Sequence, residues 1–327
     1  EMGLGKKWKP LAIAFALFGI MTAMLGSGTT TQMNAIVSSV NAGFGVSTYI
    51  TCAIVTILVA IITFGGLQSI SKTASKIVPA MAVIYFIITV IFLIMNASEV
   101  PHAVSQVITG AFNGTAAAGG FAGAGLMLTI RSGIARGLYS NESGLGSAPI
   151  VAAAAKTKWP AEQGLISMTG TFIDTIIICT LTGLTIIVSG VWTGTTNGAE
   201  MTQSAFATTY GSLAPFILTI SLTLFAFTTI IGWNYYGERC WEYLFGTRTI
   251  KLYRIGYIAI LASAVFLKLE AIWSLADIVN GLMAIPNLIA LLGLSGVITA
   301  ETKKYFNHLA IRDAKLKAYK ARRIGKK

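Results

Sequence analysis

Charged residues are scarce in this chain. They make up 11% of its 327 residues, whereas hydrophobic residues make up 54%, and the mean hydropathy is +0.73. A soluble domain carries roughly 25% charged residues. Long apolar runs recur along the whole sequence. The composition therefore indicates an all-helical integral membrane protein rather than a soluble one.

Histidine and cysteine are also few. The two histidines, His102 and His308, fall outside the apolar runs, so no histidine relay lies inside the membrane. The three cysteines, Cys52, Cys179 and Cys240, have neither metal-binding nor redox spacing, and we interpret them as small apolar fillers. Since no histidines, cysteines or paired carboxylates are placed for catalysis, we do not expect an enzyme.

The apolar runs predict eight membrane crossings, most of them of about 20 residues, the length that a hydrocarbon core of about 30 Å requires. The crossings are residues 8–40, 48–64, 77–95, 119–137, 164–191, 213–236, 252–267 and 272–297. Residues 101–112 are expected to form a short interfacial helix, and residues 194–210 an external loop with a short helix. This pattern divides the chain into a transmembrane domain, residues 1–302, and a basic tail, residues 303–327.

The lysines and arginines indicate the orientation of these crossings. With the N-terminal end inside, Lys268 is the only basic residue of the connecting segments that lies outside. This asymmetry predicts a multi-pass protein of the cell (inner) membrane with both ends of the chain cytoplasmic. It also accounts for most of the net charge of +12, which therefore does not indicate nucleic acid. The basic tail either lies on anionic lipid headgroups or is solvated and partly disordered.

The segment at residues 119–149 differs from the other apolar segments because it contains eight glycines, two arginines and a glutamate. The glycines at 119, 120, 123 and 125 favour non-helical backbone and close approach of a neighbour. We expect a transmembrane helix that is broken near its middle, with freed N–H and C=O groups that face a substrate or an ion. The alternative is that Gly119 and Gly123 only allow two helices to pack closely.

Polar side chains inside the first crossing line two neighbouring helical faces. Their members are Gly28, Gln32 and Ser39 on one face and Ser27, Thr31, Asn34 and Ser38 on the other. The amide of Gln32 both donates and accepts hydrogen bonds, which suits the carboxylate or ammonium group of an amino acid. The alternative role for this polar wall is hydrogen bonding between helices.

Asp174 lies several residues inside the fifth crossing, where an isolated charge requires a cation or a proton. The candidate partners are Arg131 and Arg136 of the segment predicted to be broken. A structural ion pair that holds this segment is one interpretation, and a direct ligand of a transported ion is the other.

The sixth crossing carries two adjacent hydroxyls, at Thr228 and Thr229, which are the hard oxygen ligands that Na⁺ accepts. Threonines in membrane helices also bond back to their own helix, and this alternative stays open. One turn further on, the indole of Trp233 is suited to wall a small pocket.

Four long strings between residues 133 and 295 resemble a known family. They are GIARGLYSNESGLGSAPIVAAAAKT (residues 133–157), FIDTIIICTLTGL (172–184), FAFTTIIGWNYYGERCWEYLFG (225–246) and DIVNGLMAIPNLIALLGLS (277–295). Their order and spacing closely resemble those of the alanine or glycine:cation symporter family. The resemblance implies a sodium-coupled, sometimes proton-coupled, importer of small neutral amino acids.

The resemblance also implies a fold of two inverted repeats of five helices, as in the neurotransmitter:sodium symporters. In that fold the first crossing is the third helix of the first repeat, which brings Gln32 to the substrate cavity. The segment from Phe121 to Gly125, with Gly123, is the unwound first helix of the second repeat and contacts the substrate.

By the same resemblance, Thr228 and Thr229 lie on the third helix of the second repeat and are expected to bind the coupling Na⁺. Phe121 and Trp233 are expected to narrow a pocket sized for alanine or glycine.

Members of that family carry further crossings before the point where this sequence starts, including a partner unwound helix with a Gly-Thr-Gly-Asn type motif. Nothing like that motif occurs here, so we expect this chain to lack N-terminal helices of the transporter. The alternatives to Na⁺-coupled import are a proton-coupled transporter of the same superfamily and a non-transporting membrane scaffold. A channel is disfavoured because no rings of like residues are seen.

Overall fold

The computed structural model describes residues 3–113, 122–194, 198–267 and 269–324, and within these ranges every regular element is a helix. The helices are α1 (Lys9–Leu25), α2 (Thr30–Phe44), α3 (Thr48–Phe64), α4 (Gly66–Met95), α5 (Val100–Asn113), α6 (Ala122–Asn141), α7 (Ser147–Ala152), α8 (Pro160–Thr171), α9 (Thr180–Val188), α10 (Gly198–Tyr210), α11 (Ala214–Phe245), α12 (Ile250–Ser263), α13 (Leu269–Gly293) and α14 (Ser295–Ile324). The predicted short helices at residues 101–112 and 194–210 correspond to α5 and α10.

Six helical stretches of the described residues are long and apolar enough to cross a membrane. They are Lys6–Phe44, Gly66–Met95, Pro160–Val188, Gly198–Phe245, Thr247–Phe266 and Ala271–Gly293, and α3 is a shorter apolar helix. Each of these helices overlaps one of the predicted crossings. The prediction of a multi-pass membrane protein is therefore confirmed, whereas the count of eight crossings and the arrangement in two inverted repeats stay predictions.

The first crossing is interrupted near its middle, at residues 26–29, which we call the first break. α1 ends at Leu25, α2 begins at Thr30, and Gly26 between them has φ −105° and ψ −137°. The Thr29 hydroxyl donates to the Ala23 carbonyl across the gap. Regular helix over residues 8–40 was expected, so the sequence prediction missed this break.

A second interruption, residues 142–146, separates α6 from α7, and we call it the second break. Glu142, Gly144 and Gly146 all have positive φ, at 55°, 82° and 88°. Glycine adopts this conformation readily, but glutamate does so only where the surrounding structure holds it. The Nδ2 of Asn287 on α13 donates to the Gly144 carbonyl at 2.9 Å and ties the second break to that helix.

α11 is the central helix and packs along α1, α2, α4 and α12. Tyr253 and Tyr257 of α12 are fully buried against it. The Tyr257 hydroxyl donates to the Ile230 carbonyl of α11 at 2.8 Å and lies 3.3 Å from the Gly28 carbonyl. α12 therefore places a hydroxyl near the Gly28 carbonyl. This carbonyl belongs to the first break and has no partner within a helix.

The fifth predicted crossing contains a π-helical segment, Phe172–Cys179, between α8 and α9. Asp174 lies in this segment. π-helical turns are rare and often mark functional sites.

The basic tail continues from α13 as α14 and is helical to Ile324. Its first half rests on the start of α8, where the Trp159 ring lies 6.0 Å from the Tyr305 ring and 5.0 Å from the His308 ring. Residues 303–324 are therefore helical, and the two expectations for the tail, contact with anionic lipid headgroups or a solvated and partly disordered end, stay predictions.

Candidate functional site

The two breaks meet at Trp233 of α11. The side chain of Trp233 is 2% exposed, and Gly28 of the first break packs directly on it. On the other break, the Glu142 carboxylate lies near the Trp233 side chain. Trp233 therefore lies between two stretches of irregular backbone, and its ring is covered by protein. Its role in a pocket wall stays a prediction.

A cluster of polar and aromatic side chains lies beside the first break, between α2, α6 and α13. We call it the polar cluster, and its members are Ser27, Thr31, Gln32, Arg136, Tyr139, Trp273, Asp277 and Asn280. The Tyr139 hydroxyl lies 2.6 Å from the Thr31 hydroxyl, and Ser27 donates to Asn280 at 3.1 Å. The polar wall of the first crossing therefore faces two other helices, and part of it forms hydrogen bonds between helices.

An ion pair closes one side of the polar cluster. Arg136 donates to the Asp277 carboxylate at 2.7 Å, and both side chains are 46% exposed. The guanidinium also lies 4.6 Å from the centroid of the Trp273 ring, which in turn packs at 5.2 Å from Tyr139. The pair is thus held on an aromatic surface while it stays accessible to solvent.

Gln32 lies in the polar cluster, and its side-chain amide already contacts other groups of the protein. Its Nε2 donates to the Ser27 carbonyl at 3.1 Å, which bridges the first break, and its side chain lies near the Tyr139 hydroxyl. The residue is half-buried. Its amide can bind a substrate only if one of these contacts is exchanged for a contact with the ligand.

Thr228 and Thr229 both bond back to their own helix. Each hydroxyl donates to the Phe225 carbonyl, at 2.9 Å and 3.0 Å. Thr228 also lies 3.7 Å from the sulfur of Met81. This is the geometry in which a threonine of a membrane helix bonds back to its own helix. A hydroxyl that donates its proton still keeps lone pairs that can coordinate a cation. Sodium binding by these residues stays a prediction.

The expected ion pair between Asp174 and Arg131 or Arg136 is wrong. Asp174 accepts a hydrogen bond from Ser140 at 2.8 Å and one from Thr175 at 3.4 Å. Arg136 is engaged by Asp277 instead, and Arg131 is exposed. Asp174 does connect the π-helical segment to α6, as expected, but it does so through hydroxyl groups.

The break expected at residues 121–125 is not found where the chain is described. Gly123 and Gly125 lie in regular helix at the start of α6, whereas Gly119, Gly120 and Phe121 lie outside the described residues. The interruption that the structure shows in this segment is the second break, at its far end. A count of glycines does not distinguish the two positions, because a helix also tolerates glycine.

Tyr139, Trp273 and Glu142 were not identified as site residues from the sequence. Tyr139 follows Arg136 by three positions and Trp273 precedes Asp277 by four, so each aromatic ring shares a helical face with its charged neighbour. That spacing was the available signal. Glu142 belongs to the string at residues 133–157 that resembles the family, but none of its neighbours in the sequence indicated that it faces Trp233.

Glu142 has an unusual electrostatic environment. It belongs to the second break and so lies outside the membrane-spanning helices. Burial, together with the negative charge of Asp174, raises the pKa of its carboxyl to about 7, against a hydrogen bond from Ser147 and the nearby Trp233 side chain, which lower it. Among the described residues, no group of three or more His, Cys, Asp or Glu side chains is arranged to hold a metal ion.

Comparison with known proteins identifies one family. The sequence profile of the sodium:alanine symporter family matches residues 1–319. A protein named sodium/alanine symporter AgcS from Methanococcus maripaludis is 44% identical over 322 residues, which is 96% of this chain and 68% of that protein. An uncharacterized transporter from Haemophilus influenzae is 51% identical over 95% of this chain and 68% of its own length. The probable sodium/glutamine symporter GlnT from Bacillus subtilis is 36% identical over 93% of this chain and 63% of its own length.

Proposed function

The chain belongs to the sodium:alanine symporter family, and from this premise we propose that it imports alanine or glycine together with Na⁺. Membership of the family identifies a cation-coupled amino-acid symporter of the membrane. The choice of Na⁺ and of a small neutral amino acid is supported by the names of its relatives, one a sodium/alanine symporter and one a probable sodium/glutamine symporter. This chain spans about two thirds of the length of these relatives.

The observation that carries the proposal is the polar cluster beside the first break. An amino acid is a zwitterion, so its site needs donors for the carboxylate and acceptors for the ammonium group. The polar cluster contains both kinds, with Arg136 and Gln32 as donors and Asp277 and Thr31 as acceptors. Backbone groups of an interrupted helix are the usual further ligands in transporters.

We assign the substrate contacts to Gln32, Phe121, Gly123, Gly125 and Trp233, and the sodium contacts to Thr228 and Thr229. Thr229 and Trp233 are four residues apart on α11, so they share one helical face. This spacing puts the proposed sodium ligand one turn from the residue that joins the two breaks. Binding of Na⁺ is then able to influence the substrate site through a single helix face.

Transport proceeds by alternating access in this proposal. Na⁺ and the amino acid bind together, the interrupted segments order around them, and the cavity then opens on the other side of the membrane. Moving one positive charge through a potential of about 100 mV releases about 2.3 kcal/mol. That free energy alone supports roughly a 50-fold accumulation of substrate before the sodium gradient is counted.

The test is uptake of radiolabelled alanine by proteoliposomes that contain the intact transporter. We expect uptake that saturates with alanine, that requires an inward Na⁺ gradient and that unlabelled glycine inhibits. Uptake driven equally well by a proton gradient without Na⁺ would instead favour the proton-coupled alternative. Absence of saturable uptake under both gradients would favour the non-transporting scaffold.

A further inference from the structure

The Glu142 carboxyl is held in place by groups from two different helices. The Ser147 hydroxyl of α7 donates to its Oε2 at 2.5 Å, and the side chain of Trp233 of α11 lies near it. The backbone of Glu142 has φ 55°, which a residue with a side chain rarely adopts. Such strain persists only where the surroundings fix the residue, and it is concentrated at functional sites.

Within the part of the chain that the structure describes, no cationic side chain pairs with this carboxyl. None of the ion pairs among the described residues involves Glu142. The titratable groups that face it are Asp174 from the π-helical segment and Tyr236 from α11, and Asn287 of α13 contributes a neutral amide to the same break. Since Asp174 has the same sign of charge, both burial and its neighbour favour the protonated form of Glu142.

A metal cation does not suit this position. Sodium needs several oxygen ligands, whereas the structure places one hydroxyl, that of Ser147, and the indole of Trp233 beside this carboxylate. The indole offers no oxygen ligand to a cation. A proton, in contrast, needs only one carboxyl oxygen.

A cavity borders the second break on one side. A cavity of about 390 Å³ lies between α1, α7, α11 and α13, and Gly146 and Pro149 form part of its wall. Arg239 and Asn287 provide polar groups in an otherwise apolar lining. The second break therefore forms part of the wall of this cavity through Gly146.

We propose that Glu142 is a proton-binding site of the transport cycle, protonated while the second break is packed on Trp233 and deprotonated when the break moves into water. The step is a simple protonation of the carboxylate by water-borne H⁺, and the Ser147 hydroxyl can then accept as well as donate. This inference rests on the proposed transport function and adds a second bound cation to it.

The sign of the pH effect follows from linkage. The carboxyl pKa is raised to about 7 in the packed conformation and returns to its ordinary value, about 4.3, in water. The packed conformation therefore binds more protons than the open one. Raising the pH from about 4.3 through about 7 shifts the equilibrium toward the open conformation, and the shift levels off at higher pH.

The experiment measures Na⁺-driven alanine uptake by the intact transporter at pH values from about 5 to about 8.5. We expect the wild type to show a pH-dependent rate with a midpoint of about 7, and Glu142→Gln to abolish that dependence. Asp174→Asn removes the neighbouring charge and lowers the midpoint, whereas Ser147→Ala removes a hydrogen bond to the carboxylate and raises it. Glu162→Gln is the matched control, since that carboxylate bonds Thr157 away from the break, and it leaves the midpoint unchanged.

A second measurement does not depend on transport. The infrared difference spectrum of the purified protein between low and high pH contains a carbonyl band for each carboxyl that titrates. We expect a band with a midpoint of about 7 in the wild type, shifted in opposite directions by Asp174→Asn and Ser147→Ala and absent in Glu142→Gln. The inference is wrong if Glu142→Gln keeps both the wild-type band and the wild-type pH profile. If the wild type shows no Na⁺-driven uptake of alanine, the proposed function is wrong. The infrared result still decides whether Glu142 binds a proton.

Discussion

Gly28 of the first break lies so close to Trp233 of α11 that a Cβ added to the glycine would be 2.6 Å from the Cγ of the indole. Real Cβ atoms do not approach another carbon so closely, and the nearest atoms belong to the inner part of a fully packed side chain rather than to a flexible end. The first break and α11 therefore keep their contact only with glycine at position 28.

Gly28→Ala is expected to displace the first break from Trp233. Overpacking of this kind destabilises a core by about 1–3 kcal/mol, and the displaced break no longer holds Gln32 in the polar cluster. We expect a lower melting temperature and a loss of alanine uptake of at least about tenfold. Gly232→Ala is the matched control on α11, because a Cβ there meets no atom within 4 Å.

Removal of the charge pair between Arg136 and Asp277 is expected to change transport more than stability. Half-exposed pairs contribute about 0–1 kcal/mol to folding, so Asp277→Asn should leave the melting temperature nearly unchanged. If the pair covers the polar cluster, the variant alters the KM for alanine. The double variant Arg136→Asp with Asp277→Arg restores the attraction and should recover part of the wild-type KM; equal defects in single and double variants would contradict this role.

Gln32→Ala is expected to raise the KM for alanine by about tenfold, because a hydrogen bond to a charged group contributes about 1.5–3 kcal/mol. Asn34→Ala lies in the same helix and serves as a control. A KM that is unchanged while the maximal rate falls would show that Gln32 only joins helices.

Thr228→Ala combined with Thr229→Ala is expected to abolish the dependence of alanine uptake on Na⁺. Each hydroxyl bonds back to the Phe225 carbonyl, so little folding free energy is lost with it. Ser221→Ala removes a hydroxyl with the same kind of bond, to the Ile217 carbonyl, and should keep the wild-type sodium response. Retention of the wild-type sodium response by the double variant would remove these residues from the site.

Glu238→Gln is expected to destabilise the protein. Glu238 is 3% exposed and accepts two hydrogen bonds from Arg254 of α12, at 2.7 Å and 3.1 Å. Breaking a buried pair leaves a charge uncompensated and costs about 3–5 kcal/mol. Glu301→Gln breaks a more exposed pair with Lys304 and should change the melting temperature by much less. Thermal unfolding in detergent distinguishes the two.

The sequence predicted the helical membrane class because apolar runs of membrane length leave little choice of structure. It predicted the polar wall around Gln32 because helical periodicity places those residues on adjoining faces. It did not predict the first break. Ser27 and Gly28 read equally well as members of a helical face, and the interruption depends on partners far away in sequence, such as Val279 and Tyr257.

The partner of Arg136 could not be predicted from the sequence either. Asp174 and Asp277 are both carboxylates on apolar helices, and composition does not indicate which of them α6 approaches. The structure decides between them through packing, since Trp273 supports the guanidinium next to Asp277. For the same reason Glu142 was overlooked, because its significance comes from Trp233, 91 positions further along the chain.

The hydroxyl of Tyr257 has a single proton and two carbonyls within reach, one on the first break and one on α11. If those two carbonyls moved apart, the buried hydroxyl could stay close to only one of them. α11, α12 and the first break are therefore expected to travel together as one rigid unit. Relative movement of the helices during transport is then expected elsewhere, between this unit and α6 with the second break, on the side of α11 that carries Trp233.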